Sequence, residues 1–333
     1  MRIFVTGGSG LLGNTILRQL SDEGVSTLAM VRGEPDQRVF AKIETEFVQA
    51  DLADASAIDQ AIRRCDAVIH SAGLIHLGWR QREESMKVNR DGTANVVDAC
   101  LKHGKKLVHV GTVNALAVGS VNRIADETTP PDHAGGQVPC SYVESKRAGV
   151  LEVQKGVSQG LQAVIVHPGF MLGPWDWKPS SGRMMVEVGR SWKPLAPRGG
   201  CSLCDSRDVA AGTLQALQRD IQSGRQYVLA GHNLTYLELW RQMAQQMDVR
   251  GPVMRAGPLQ LVIAGAAGDA FGAVASRFGG QEPDLNSAAI RMSRQFHWYN
   301  SSRAQAELGY AIRPAEESLK DAASWLRGQR EAF

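Results

Sequence analysis

Apolar residues fall along this chain in two alternating rhythms. Short apolar runs at 2–6 (RIFVT), 26–31 (STLAMV), 46–50, 67–70 (AVIH), 107–110 and 163–166 read as strands, and the β-branched first run suits a strand buried on both faces. Between them apolar positions recur at helical spacing: Leu11, Leu12, Ile16, Leu17 and Leu20 up to Gly24, a helix through Ile62, and a long one at 86–100. Six short strands alternating with amphipathic helices predict an α/β fold built on a doubly wound parallel sheet. Ligands of such sheets sit beyond the strands' C-terminal ends, the rim where Ser71, Thr112 and Pro168 fall. The longest apolar stretch, Pro258–Ala275, is interrupted by glycines and Asp269, and is expected to be a buried or pocket-lining helix and not a membrane span. The Gly/Ala-rich segment 251–280 around it would cover a pocket or contact a partner chain.

The first strand runs directly into Gly7, Gly8, Gly10 and Gly13, and the first helix follows at once. Strand, glycine turn and helix in that order form the setting of a dinucleotide-binding turn. Glycines let the backbone approach a pyrophosphate, and the helix N-terminus offers free N–H groups and a positive dipole. The residue just past the second strand is Arg32, where a basic side chain accommodates a ribose 2′-phosphate, so NADP is favoured; Glu34 keeps NAD open. Asp51-Leu52 closes the third strand, with Asp54 nearby; a carboxylate here would accept from an adenine amino group or cap the next helix. Ser71-Ala72-Gly73 closes the fourth, where small residues let a flat ring lie against backbone.

Tyr142 and Lys146 stand four apart in SYVESK and would share one helix face. A phenol serves as an acid or base near neutral pH only if its pKa falls, and a nearby ammonium favours the phenolate. Thr112, closing the fifth strand, can hold a substrate oxygen beside that phenol.

A chain of 333 residues is ample for one large domain or two coupled ones. Its formal net charge of +3 gives no overall electrostatic case for nucleic acid or an anionic membrane. The chain enters a strand at once, leaving no room for a signal peptide, and five cysteines in this length suit a reducing, cytoplasmic setting. Cys201 and Cys204 are an isolated CxxC pair without further ligands at metal spacing, so no metal is expected.

With these residues in place the chain resembles the extended branch of the short-chain dehydrogenase/reductase superfamily, which includes the NAD-dependent epimerase/dehydratase family. Thr6 to Gly13 look like its TGxxGxxG turn. Asp51-Leu52, the VIHSAG run 68–73, Asn89 with Gly92-Thr93, Thr112, Tyr142/Lys146 and the HPGFMLGP run 167–174 follow in family order. Later segments at 207–210, 227–231 and 308–310 extend the likeness over nearly the whole chain.

The resemblance implies a Rossmann-type nucleotide domain at 1–166, with 205–225 returning to it, and a smaller substrate-binding cap from 167–204 and 226–333. It implies Tyr142 as general acid/base, Lys146 lowering its pKa and holding the nicotinamide ribose, and Thr112 orienting the carbonyl or alcohol. It places Gly7, Gly10, Leu11, Leu12, Gly13, Arg32, Asp51, Leu52, Ser71, Ala72, Gly73, Asn89, His167, Pro168 and Gly169 around the cofactor. Two positions depart from the family's pattern: Gly111-Thr112 stands where a Ser pair is usual, and His167 stands where an Arg precedes Pro168.

Within the branch the likeness is to dihydroflavonol reductase-type and hydroxysteroid dehydrogenase-like bacterial reductases. The implied activity is NADP(H)-dependent interconversion of a carbonyl and an alcohol on a small organic substrate. A nucleotide-sugar epimerase or dehydratase with tightly held NAD, and a non-catalytic dinucleotide sensor, stay open, as does a homodimer through helices of the nucleotide domain. Lys178, Arg183 and Arg190 could hold a diphosphate, while Met171, Trp175, Trp177, Met184 and Met185 would be either core or pocket wall.

Overall fold

The computed structural model describes residues 1–277 and 282–329. In chain order the strands are β1 (Arg2–Thr6), β2 (Ser26–Val31), β3 (Glu46–Gln49), β4 (Ala67–His70), β5 (Lys106–Val110), β6 (Ala163–Pro168), β7 (Phe170–Leu172), β8 (Leu195–Ala196), β9 (Gly200–Asp205), β10 (Gln226–Leu229), β11 (His232–Thr235), β12 (Met254–Arg255) and β13 (Phe296–His297). The helices are α1 (Leu11–Asp22), α2 (Ala55–Arg63), α3 (Arg82–Met86), α4 (Gly92–His103), α5 (Ser141–Ser158), α6 (Gly182–Arg190), α7 (Ser206–Gln218), α8 (Tyr236–Gln246), α9 (Pro258–Arg277), α10 (Ser287–Ser293), α11 (Ser302–Leu308) and α12 (Ala315–Gly328).

The main sheet is parallel and 7-stranded, in the order β10-β6-β5-β4-β1-β2-β3. Except in the largely exposed edge strand β3, alternate residues of the strands enter opposite cores, which is why these strands read as unbroken apolar runs. Ile3, Val5, Ala29, Ile69, Val108, Val164 and Val166 face α1, α7 and α11. Phe4, Leu28, Val68, Leu107 and Ile165 face α2, α4 and α5. Strand order reverses between β1 and β4, so a crevice opens at their C-terminal ends.

The sheet has one strand more than the sequence pattern predicts. Gln226–Leu229 pairs with β6, so the segment expected to return over 205–225 runs on through 229. α11 also belongs to this side, because Ala304, Leu308 and Tyr310 lie in the same core as α1 and α7. The substrate region keeps its own core, where Leu172, Met185, Leu203, Leu239, Met243 and Leu326 meet.

The helix expected at 86–100 is interrupted. A π-helical turn, Lys87–Asp91, separates α3 from α4 and turns Asn89 inward. The burial expected of Pro258–Ala275 is not found: only 22% of it is buried. α9 rests on α10 by one narrow, glycine-lined side, leaving most of its apolar side chains outward.

Candidate active site

Gly7 takes a left-handed φ of +75°, and a Cβ there would lie 2.7 Å from the backbone nitrogen of Ala72. A Cβ at Gly13 would strike the carbonyl oxygen of Gly7, which already accepts the N–H of Gly10 at 2.9 Å. The turn therefore closes tightly under β4's end, and Leu11 and Leu12 open α1 with no side-chain cap, leaving the first N–H groups for a ligand. Asn14 donates to Gly8 O (3.3 Å) and Val39 O (3.0 Å), which holds the loop after β2 beside the turn. Arg32 lies exposed at that loop's start, with Glu34 exposed beyond it. Asp51 accepts from Ala53 N (2.9 Å) and Asp54 caps α2 through Ala57 N (2.9 Å), so Asp54 takes the capping role. Leu52 is buried against Gly92.

A hydrogen-bonded chain links the glycine turn to α5, and its directions are determined. Ala72 N–H donates to Thr6 Oγ1 (3.1 Å), whose hydroxyl donates to His70 Nδ1 (2.8 Å). Thr93 Oγ1 gives its proton to the carbonyl of Asn89 (2.7 Å), so it must accept from His70 Nε2–H (3.0 Å). His70 is thus a neutral imidazole of one tautomer, and burial pushes its pKa down to about 3. The Asn89 carboxamide in turn donates to Leu74 O (2.9 Å) and Ser145 Oγ (2.9 Å) and accepts from Leu74 N (2.8 Å). With its amide engaged in this way, Asn89 shapes the Ser71-Ala72-Gly73 strand end from behind. A Cβ at Gly73 would sit 3.0 Å from Asn89 Oδ1 and 3.5 Å from Lys146 Nζ.

Tyr142 and Lys146 share the inner face of α5, and both are largely buried. Lys146 Nζ donates to Val110 O (2.9 Å), and burial lowers its pKa to about 8. Burial raises the pKa of the Tyr142 phenol above its ordinary value, by more than the neighbouring Thr112 hydroxyl lowers it. The expected lowering by the ammonium is not seen, because Lys146 is itself desolvated and directed at the end of β5. Thr112 Oγ1 accepts from Asn114 N at 3.2 Å.

The two positions that depart from the family's pattern sit against each other. His167 is fully buried at the end of β6, and its Nδ1–H donates to the Thr112 carbonyl at 3.1 Å. A Cβ at residue 111 would lie 2.8 Å from that same Nδ1, so the His167 ring needs Gly111. Burial pushes His167 down to about 4, and its Nε2 lies 2.8 Å from Gln226 Oε1. Pro168 closes β6 and Gly169 N–H donates to Leu229 O (3.1 Å), where a Cβ would meet Ser202 O at 2.5 Å.

One wall beside Tyr142 had no signature in the sequence. Val138, Cys140, Val143, Ala288 and Met292 pack with Tyr142, and Trp79 packs against them. Trp79 is fixed by its indole N–H donating to Ser287 Oγ (2.8 Å) and by its backbone N–H donating to Glu282 (3.3 Å), which also pairs with His76 (2.9 Å). The wall comes from chain segments about 200 residues apart, which local patterning does not connect.

Apart from Trp175, the Met/Trp run after Pro168 is core. Met185 is fully buried in the substrate-region core with Met184 packed against it, Trp177 meets Trp325 edge-on at 4.7 Å, and Arg18 stacks over Trp175 at 4.9 Å. Met171 packs against the nucleotide-sheet core. Arg183 pairs with Asp284 (2.7 Å), Arg190 pairs with Glu187 (3.1 Å), and Lys178 is exposed. Cys201 and Cys204 enter different cores from opposite faces of β9. Among the described residues no group of His, Cys, Asp and Glu could hold a metal ion.

Comparison with known proteins agrees with this geometry. The NAD dependent epimerase/dehydratase family matches residues 3–230. A Synechocystis sp. protein provisionally named a dihydroflavonol 4-reductase is 29% identical, with 97% of this chain and 94% of that one covered. The crystal structure of gox2253 superposes with a TM-score of 0.82 at 29% identity, covering 98% of each chain. A Thermus thermophilus UDP-glucose 4-epimerase, solved with NAD, shares the fold at TM-score 0.71 and 20% identity, over 98% of this chain and 99% of that one. The fold is Rossmann-like, and this chain belongs to the NAD-dependent epimerase/dehydratase family, NAD(P)-dependent enzymes of the extended short-chain dehydrogenase/reductase superfamily.

Proposed function

We propose that this enzyme is an NADP(H)-dependent oxidoreductase that interconverts a carbonyl and an alcohol on a small, largely apolar organic substrate. The observation that carries this reading is the buried Thr112 hydroxyl beside the buried Tyr142 phenol, next to an apolar wall of Trp79 and Met292. The glycine turn fits the phosphates of a dinucleotide, because it closes tightly at Gly7 and Gly13 and leaves the first N–H groups of α1 uncapped. Arg32 supports the 2′-phosphate form, since an exposed guanidinium past β2 can pair with it.

When bound, the nicotinamide supplies or accepts hydride. Thr112 would orient the substrate oxygen, and Tyr142 would exchange a proton with it. A phenol held above its ordinary pKa is protonated at neutral pH, the state needed to donate to a carbonyl oxygen as it becomes an alcohol. Lys146, charged below about pH 8, would hold the nicotinamide ribose from the strand side. The low-dielectric site strengthens each of these interactions.

Epimerase neighbours support a second reading, action on a nucleotide-linked sugar with retained NAD. Against it, Arg183 and Arg190 are already ion-paired within the substrate region. The test is NADPH oxidation with aromatic ketones, aldehydes, steroids and sugar nucleotides in parallel. Wild type is expected to consume NADPH with a ketone or aldehyde, and Tyr142→Phe to lower that rate by about 10²–10⁴-fold while still binding NADPH. Full turnover by Tyr142→Phe would remove the assignment. Tightly retained oxidised cofactor without net NADPH consumption would select the epimerase reading.

A further inference from the structure

α9 reverses the usual arrangement of a surface helix, with small residues inward and large apolar ones outward. A Cβ at Gly268 would strike the Leu285 carbonyl, one at Gly265 would lie 3.1 Å from Ser287 Cα, and one at Gly272 3.0 Å from the Pro283 ring. Asp269, the one ionisable residue of Pro258–Ala275, also turns inward and accepts the Ser287 N–H at 2.9 Å. On the outer side Leu259, Val262, Ile263, Phe271 and Val274 are 55–70% exposed. At 3.6 residues per turn they occupy about half of the helix circumference. Val253 and Met254 before the helix, and Leu285 beside Gly268, are likewise at least half exposed. A continuous apolar surface of this kind marks an interaction site.

Charge around it says what it meets. Exposed Arg255 and Arg277 stand at the two ends of the helix, and Arg250 stacks over the half-exposed Trp192 at 4.5 Å. Nearby acids are engaged: Asp269 bonds inward, Glu282 is buried under Trp79 and His76, the exposed Asp284 and Asp248 pair with Arg183 and Arg327, and Glu238 closes the α8 capping box. An apolar face framed by arginines and an indole is complementary to an anionic lipid surface. A second copy of this chain fits poorly, because antiparallel pairing of two α9 helices sets Arg255 against Arg277, and parallel pairing sets each arginine against its equivalent.

We propose that α9 docks this protein peripherally on an anionic bilayer, lying in the membrane plane with Leu259, Val262, Ile263, Phe271 and Val274 among the acyl chains and the arginines at the headgroups. It does not span, because its inward side is seated on residues 282–287. The net charge of +3 conceals this site, since a total does not show where arginines cluster.

The test is flotation of the full chain with vesicles of phosphatidylcholine alone or with about 30 mol% phosphatidylglycerol, at about 0.1 M and about 0.5 M NaCl. Binding is expected to be about 100-fold stronger to the anionic vesicles and to fall at the higher salt. A double variant, Ile263→Gln with Phe271→Gln, should lose at least about 10-fold of that binding, with unchanged thermal unfolding and NADPH affinity, since both side chains already face outward. Absence of vesicle binding, or equal binding by the variant, overturns the proposal. So does a solution dimer that binds no vesicles and dissociates on those two substitutions, which would assign the face to a second copy.

Discussion

One methyl group at Gly13 would meet the Gly7 carbonyl, and one at Gly111 would meet the His167 ring. The first is legible in the sequence, because both partners lie in one short motif. The second is not: Gly111 and His167 stand 56 positions apart, and each looks like an unrelated departure from a family pattern. Their contact explains both, since a neutral imidazole that bonds the Thr112 carbonyl leaves no room for a side chain at 111. Arg32 was legible for the same reason as Gly13, as a residue closing a clear strand. If it pairs with a 2′-phosphate, Arg32→Ala should weaken NADPH about 10–100-fold relative to NADH, the worth of one charge-assisted hydrogen bond. Fluorescence titration with both cofactors checks this, and an unchanged ratio would remove the role.

Strands declared themselves better than helices did. β1, β2 and β4 fall at the predicted residues because their side chains alternate between two cores, whereas β10, at the sheet edge, needs β6 beside it to be recognised. The π turn at Lys87–Asp91 has no local signature; it exists because Asn89 must reach Leu74 and Ser145 at once. Asn89→Ala would leave the Leu74 N–H, the Leu74 carbonyl and the Ser145 hydroxyl without this partner. A loss of about 3 kcal/mol is expected by urea denaturation, given about 1–3 kcal/mol for each buried group left unsatisfied. A loss below about 1 kcal/mol would show that the turn is held by other means.

Across the whole molecule, buried neutral imidazoles set the acid stability. Burial holds His70 at about 3 and His167 and His297 at about 4, below the value of about 6.5 in an unfolded chain. Between those values the unfolded chain binds more protons, so this stability is complete above about pH 6.5 and is lost as pH falls toward 4, up to about 3 kcal/mol for each. Asp176, raised to about 6 by burial, works oppositely and regains part of it as pH falls. The thermal midpoint should therefore drop between pH 7 and 4.5, and His167→Asn should flatten that drop; a midpoint independent of pH would contradict it. At this scale the sequence predicted the sheet, but not the outward face of α9. An apolar run suggests burial, and only the fold shows that no other element of the described residues lies over it.

The chain crosses between the nucleotide sheet and the substrate region near residues 169, 205, 230, 300 and 313. Glu307 on α11 bonds Tyr227 on β10 (2.7 Å), and Gln226 on the same strand holds His167, so late residues brace the early site. A swap of substrate regions between relatives therefore has no single splice point. A graft that replaced everything after residue 225 would also replace the strand beside β6 and the carboxamide behind Thr112, altering the chemistry along with the specificity. Chimeras meant to change only the substrate must keep 226–229 and 302–310 with the recipient, and exchange the pieces between them.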